Sequence, residues 1–182
     1  MAGRRGDTKQ RIQRVALELF AEQGYDKTSL KEVAARLDIT RPALYYHFQT
    51  KEEILGGVVD DILTSLDELL DWARAQPRTA AARKQVLDRV AATMADRYLP
   101  LMRFAQVNQA AMQRLETGTR MQERMLTLLS VLVDPDDPPA RRFESRLAMI
   151  AVMIGNVPLF TDDIPDDQRA AIALDVAARL AG

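Results

Sequence analysis

The sequence predicts an all-α protein of about nine helices, in which a short three-helix unit containing a helix-turn-helix precedes a longer helical body. Three observations carry that expectation. Apolar residues recur at spacings of three and four along the chain, and no stretch alternates apolar and polar residues with period two. Gly24, Pro77, Pro100, Gly118 and Pro158 supply breaks at helix-length intervals. Between Thr28 and Glu53 the stretch TSLKEVAARLDITRPALYYHFQTKEE holds two helix-start signatures around a tight turn.

The elements follow in order. Residues 1–6 (MAGRRG) are polar and basic, and are expected to be mobile; Arg4 and Arg5 suit an arm that touches phosphates or a minor groove, and equally a start with no role. A first helix is expected over 7–23, with Ile12, Val15, Ala16, Leu19 and Phe20 on one face, Gly24 as its stop and Tyr25 packing back on that face. Ser29 and Glu32 form a capping box, because hydroxyl and carboxylate satisfy each other's exposed N–H groups. Leu30, Val33, Ala34 and Leu37 give the next helix its apolar stripe. Asp38 sits where the chain reverses, and Asp tolerates a left-handed backbone. Thr40 caps the following helix, and Pro42 falls in its first turn, where a missing N–H costs little. That helix buries Leu44 and Phe48 and exposes Arg41, Ala43, Tyr45, Tyr46 and His47.

Thr50 and Glu53 read as a second capping box that opens a long helix over 51–75, through Ile54, Leu55, Val58, Val59, Ile62, Leu66, Leu69 and Leu70. Gly56-Gly57 weakens its first turns, and Gln76-Pro77 closes it. Further helices are expected over 79–98, 101–115, 119–133, 140–157 and 165–180, with an exposed loop (DPDDPP) at 134–139. The domain boundary is expected at 50/51, giving a helix-turn-helix domain (1–50) and a helical body (51–182).

Composition limits the function classes. The 182 residues, 47% hydrophobic and 28% charged, are those of a soluble globular protein. No apolar run of about 18 residues exists, and the N-terminus lacks a signal-peptide core. Cys is absent, which excludes disulfides and thiol chemistry and fits a cytoplasmic location. The net charge is −1, yet residues 1–51 hold ten Lys/Arg against six Asp/Glu, a net of +4, which leaves −5 for the remainder. A basic N-terminal part on an acidic body points to a local phosphate footprint, with chance clustering of surface charge as the alternative.

Two short helices joined by a tight turn, the second carrying Arg, Tyr and His on its outer face, have the form that enters a DNA major groove. Arg41 suits a bidentate contact to guanine, and Ala43 a thymine methyl. Tyr45, His47 and Lys51 suit phosphates, as do the N-termini of the helices beginning near Leu30 and Lys51, with Thr28 nearby. Lys9 and Arg11 are further candidates for the DNA backbone. His47 is the single His, so a metal site or a catalytic triad has little to build on; neither cofactor nor metal nor enzymatic activity is expected.

At these residues the sequence resembles the TetR family of bacterial transcriptional regulators. The pattern A-x-x-L-x-[IV]-x-x-x-x-L-Y-x-H-F-x-x-K is met by Ala34, Leu37, Ile39, Leu44, Tyr45, His47, Phe48 and Lys51, and A-L-x-L-F-x-x-x-G-Y by the segment from Ala16 to Tyr25. Asp38 departs from the pattern, which most often has Gly there. The resemblance covers roughly the first third of the chain. It implies that the positions of Lys31, Arg41, Pro42, Ala43, Tyr45, His47 and Lys51 meet DNA; Thr28, Thr40 and Tyr46 complete the candidate set.

The body carries Met94, Met102, Met112, Met121, Met125, Met149 and Met153, with Trp72 and Phe104, at helical spacing. Such residues are usually plain core; together they also suit a pliable apolar pocket. Tyr98, Arg103, Asn108, Gln109, Gln113 and Asn156 are interleaved with them and either orient a ligand or face solvent. The candidate pocket set is Trp72, Met94, Tyr98, Met102, Phe104, Asn108, Met112, Met125, Met149 and Met153, in the region where the resemblance implies an effector. Helix 140–157 is apolar on two sides, and helix 165–180 is rich in Ala. A face formed by Phe143, Leu147, Ile150, Ile154, Ile172 and Val176 is therefore expected to meet a second copy, a dimer that the resemblance also implies; the alternative is a monomer with a thick core. The expectation is a homodimeric, ligand-responsive regulator of transcription, a repressor on a near-palindromic operator with a small apolar or amphipathic effector. The rival from another class is an effector-independent DNA-binding protein whose body only dimerises or recruits a partner.

Overall fold

The computed structural model describes residues 2–113, 118–155 and 164–182, with side chains described for 7–112, 119–155, 164–165 and 168–182. Among these residues every regular element is helical. In order they are α1 (Ala2–Gln23), α2 (Leu30–Arg36), α3 (Arg41–His47), α4 (Lys51–Arg74), α5 (Ala80–Thr93), a π-helical turn (Met94–Tyr98), α6 (Leu99–Val107), α7 (Gln109–Gln113), α8 (Gly118–Leu129), α9 (Pro139–Ile154) and α10 (Asp166–Ala181). The chain forms two compact units, one of Met1–Ile62 with Tyr98–Gly118 and the other of Leu63–Arg97 with Thr119–Gly182. The division between the two units falls inside α4, and α6 packs on α1.

In the first unit α1 begins earlier than expected. Residues 2–6 extend it, since nothing among them blocks a helix as Pro would; the side chains of Arg4 and Arg5 lie outside the described set. Gly24, at φ 92°, ends α1, and its N–H donates to Phe20 O at 3.1 Å. The core is built from Ile12, Ala16, Leu19 and Phe20 of α1, Val33 and Ala34 of α2, Leu44 and Phe48 around α3, and Ile54, Leu55, Val58 and Val59 of α4. Leu101 and Phe104 of α6 join it, and the Phe104 ring lies 5.9 Å from Phe20 and 6.0 Å from Tyr25. Gly57 lets α4 run close to α1, because a Cβ there would stand 2.9 Å from Gln13 Nε2 and 3.3 Å from Phe48 Cε1.

Pro100 does not break the chain where a gap was expected. It sits in the first turn of α6, where it has no N–H to lose, and the turn before it widens to π-helix. The break comes at Asn108 instead, between α6 and α7. In the second unit α9 and α10 pack on each other and both pack on α5. Ala148, Met149 and Val152 of α9 are buried, as are Ala173, Ala177 and Ala181 of α10. The approach is close enough that a Cβ on Gly155 would fall 2.1 Å from Ala173 Cβ. The acidic loop after α8 is held by Asp134 on Arg78 at 3.0 Å and Asp137 on Arg83 at 3.2 Å. Helix ends expected at 115 and 157 lie outside the described residues.

Candidate nucleic-acid interface

Local chemistry fixes α2 and α3. Ser29 Oγ accepts from Glu32 N–H at 3.3 Å, and the Glu32 carboxylate accepts from Ser29 N–H at 2.7 Å, the expected reciprocal cap. These bonds hold the Glu32 carboxyl below its ordinary range, the Ser29 hydroxyl contributing most. Asp38 adopts φ 53°, the left-handed turn, while Asp38 N–H donates to Ala35 O and Ile39 N–H to Ala34 O. Thr40 Oγ1 then accepts from Ala43 N–H at 3.3 Å and starts α3, with Pro42 in its first turn.

The result is a recognition-type helix anchored by one side chain. Leu44 is wholly buried, while Arg41, Pro42, Ala43, Tyr45 and Tyr46 are exposed. Tyr46 shows 67% of its surface, and its ring meets His47 edge-on with centroids 5.3 Å apart. His47 is half-buried; Lys31 on α2 and Thr40 at the turn are exposed. The structure thus brings Lys31, Thr40, Arg41, Pro42, Ala43, Tyr45, Tyr46 and His47 to the helix-turn-helix, and all of them except His47 are exposed.

Two members of the predicted set are engaged elsewhere. Thr28 is buried, and its hydroxyl donates to Gly24 O at 2.9 Å and to Leu19 O at 3.4 Å, so it closes the end of α1 rather than facing outward. The sequence held the signal, since Thr28 stands four residues after the Gly24 stop, within reach of its carbonyl. Lys51 Nζ donates to Tyr25 O at 2.5 Å and lies 4.4 Å from the Tyr25 ring centroid. Its neighbour Glu52 accepts from the Tyr25 hydroxyl at 2.8 Å. Its own backbone N–H first, and that hydroxyl second, hold the Glu52 carboxyl below its ordinary range. The second capping box is also altered: Thr50 Oγ1 accepts from Glu53 N–H as expected, but the Glu53 carboxylate takes the Gln49 N–H.

The candidate pocket residues do not gather around one described cavity. Met94, Met149 and Phe104 are buried as core. Trp72 carries the Arg89 guanidinium 4.4 Å above its ring. Asn108 bonds to backbone at the end of α1. Burial of the Tyr98 phenol pushes its pKa up; Met102, Met112, Met125 and Met153 are half-buried. A cleft of about 340 Å³ does open in the second unit, between the end of α4, the start of α5 and the end of α8. Its walls include Arg74, Arg78, Arg83, Val86 and Leu132, and none of the ten predicted residues. On the predicted partner face, Phe143 (61%) and Ile172 (42%) are exposed, and Leu147, Ile150, Ile154 and Val176 are half-buried. Among the described residues no group of His, Cys, Asp and Glu is placed to hold a metal, and no helix is long and apolar enough to cross a membrane.

A helical unit in which a left-handed turn sets one short, outward-facing helix beside another is the helix-turn-helix class. Residues 12–58 match the model of the bacterial regulatory proteins of the tetR family. Residues 12–58 are thus similar to the TetR family. The N-terminal region of the chain is similar to the HTH-type transcriptional regulator AcrR of Shigella flexneri, 38% identical over 63 residues that cover 35% of this chain and 29% of that one. It is also similar to an HTH-type transcriptional repressor of Mycobacterium tuberculosis, 39% identical over 59 residues, 32% of this chain and 31% of that one. The match therefore spans about a third of the length of these relatives. Over the whole chain the fold is similar to the TetR family transcriptional regulator PfmR from Thermus thermophilus, with TM-score 0.61, 22% identity and 93% of each chain covered.

Proposed function

We propose that the chain is a DNA-binding transcriptional regulator that acts as a homodimer, represses from a near-palindromic operator and is released by a small apolar or amphipathic effector in the cytoplasm. The observation that carries the reading is α3, which turns Arg41, Ala43, Tyr45 and Tyr46 outward around the single buried anchor Leu44. Arg41 and Ala43 at its N-terminal end suit base edges, and Tyr45 and Tyr46 suit the phosphate-sugar backbone. Lys31 on α2 suits a phosphate. The apolar row Phe143, Leu147, Ile150 and Ile154 with Ile172 and Val176, exposed at Phe143 and Ile172 and half-buried elsewhere, supports a two-fold contact through α9 and α10. Such a dimer would set two copies of α3 about 34–36 Å apart, one helical turn of DNA.

An effector acts only through its different affinity for two conformers of the regulator. Selection of binding sites from random DNA with the purified protein tests the reading; a palindromic consensus is expected, and no enrichment would overturn it. The burial of Met94, Met149 and Phe104 as core favours the second reading, a DNA-binding protein without an effector. Apolar compounds that raise Tm and weaken operator binding would decide for the first reading; compounds that do neither would favour the second.

A further inference from the structure

The break between α6 and α7 has a chemical purpose. Asn108 leaves the helix at φ −125° and ψ 49°, and its side chain reaches the far end of α1. Its Oδ1 accepts from Tyr25 N–H at 2.8 Å, and its Nδ2 donates to Phe20 O and to Phe104 O, both at 3.1 Å. One amide therefore occupies a donor and a carbonyl at the end of α1 and a carbonyl in the last turn of its own helix. An apolar side chain would take this acceptor from the Tyr25 N–H, while Phe20 O and Phe104 O would keep the backbone N–H groups of Gly24 and Asn108.

Tyr25 passes the constraint on. Its ring packs edge-on against Phe20 with centroids 5.0 Å apart. Its carbonyl accepts from Lys51 Nζ at 2.5 Å, and its hydroxyl donates to Glu52 at 2.8 Å. Lys51 and Glu52 open α4, four and five residues after His47 ends α3. A continuous set of hydrogen bonds thus runs from the α6–α7 junction, through the end of α1, to the first residues of α4, which follow α3 in the chain.

We propose that Asn108 is a positioning residue for DNA binding, the tie through which the α6–α7 junction sets the affinity of the recognition helix without touching DNA. The proposal rests on the DNA-binding reading above. Breaking the tie releases Tyr25, and with it the start of α4.

The test uses the full chain on a site selected from random DNA, at a temperature where circular dichroism shows each variant folded. Asn108→Ala is expected to weaken binding about tenfold or more with the salt slope unchanged, since no phosphate contact is removed. The loss should shrink in a Tyr25→Phe background, where the hydroxyl that reaches Glu52 is already gone; a residue that only stabilises the fold would lower Tm in both backgrounds and show no such coupling in affinity. Val107→Ala, its exposed neighbour, serves as control. If Asn108→Ala does not fold, Asn108→Ser carries the same expectation. A folded variant that binds as the wild type does, or losses that simply add to those of Tyr25→Phe, overturns the proposal and leaves the DNA reading standing. A wild-type protein that selects no site overturns both.

Discussion

Tyr45 and Tyr46 expose 42% and 67% of their surface side by side on a helix held by one buried leucine, an arrangement that does little for stability and suits a partner. If that partner is DNA, the roles separate by chemistry. Arg41→Ala removes a base-edge contact, so it should relax preference at one base pair per half-site and weaken the selected site by about 1–3 kcal/mol. Tyr45→Ala removes a backbone contact and should weaken all sequences alike; competition binding against single-base variants of the site distinguishes the two. Thr28, by contrast, belongs to the fold. Thr28→Val leaves the Gly24 carbonyl without its 2.9 Å donor and should cost about 1–2 kcal/mol in a denaturation experiment, while the folded protein binds DNA normally. Glu52 gives a pH signature. Its folded pKa lies below the unfolded value of about 4.3, so its contribution is present above that pH and is lost as pH falls through the folded pKa. The stability gap between wild type and Glu52→Gln should therefore narrow below about pH 4.5; a gap constant from pH 7 to pH 3 would remove Glu52 from the account.

At the scale of elements, the two glycines of α4 differ although the sequence presents them as a pair. A Cβ at Gly56 meets nothing within 4 Å, whereas one at Gly57 meets Gln13 and Phe48. Gly56→Ala should stabilise by about 0.5–1 kcal/mol by restricting the unfolded chain, and Gly57→Ala should gain less or lose, because Gln13 must move; thermal melts of both variants check the difference. Short-range chemistry made the helix-turn-helix legible from sequence. The Ser29 and Thr40 caps, the Asp38 turn and the Leu44 anchor each act within four residues, and each stands as expected. Long-range partners were not legible. Asn108 looked like a pocket residue because, Phe104 apart, the partners of its amide, Phe20 and Tyr25, lie more than 80 residues away. Lys51 likewise looked free because the carbonyl it caps is 26 residues distant. Pro100 read as a break, since the widened π-turn that accommodates it leaves no mark in periodicity.

For the whole molecule, charge and apolar surface are distributed unevenly. The first 51 residues carry +4 and the rest −5, which suits a protein that approaches a polyanion by one end. If α9 and α10 bury their apolar row against a second copy, Phe143→Glu should shift the protein from dimer to monomer in sedimentation and weaken operator binding, because one half-site alone then holds it. A variant that stayed dimeric would move the interface elsewhere. The central claim is that α3 reads DNA, and the measurement that meets it most directly is affinity against salt on the selected site for wild type, Arg41→Ala and Tyr45→Ala. The account predicts a steep salt dependence for wild type and weaker binding in both variants, with the slope kept in Tyr45→Ala because a neutral side chain releases no counterion. Binding that is indifferent to both substitutions would contradict it, since the helix that the fold presents outward would then not be the one in the groove.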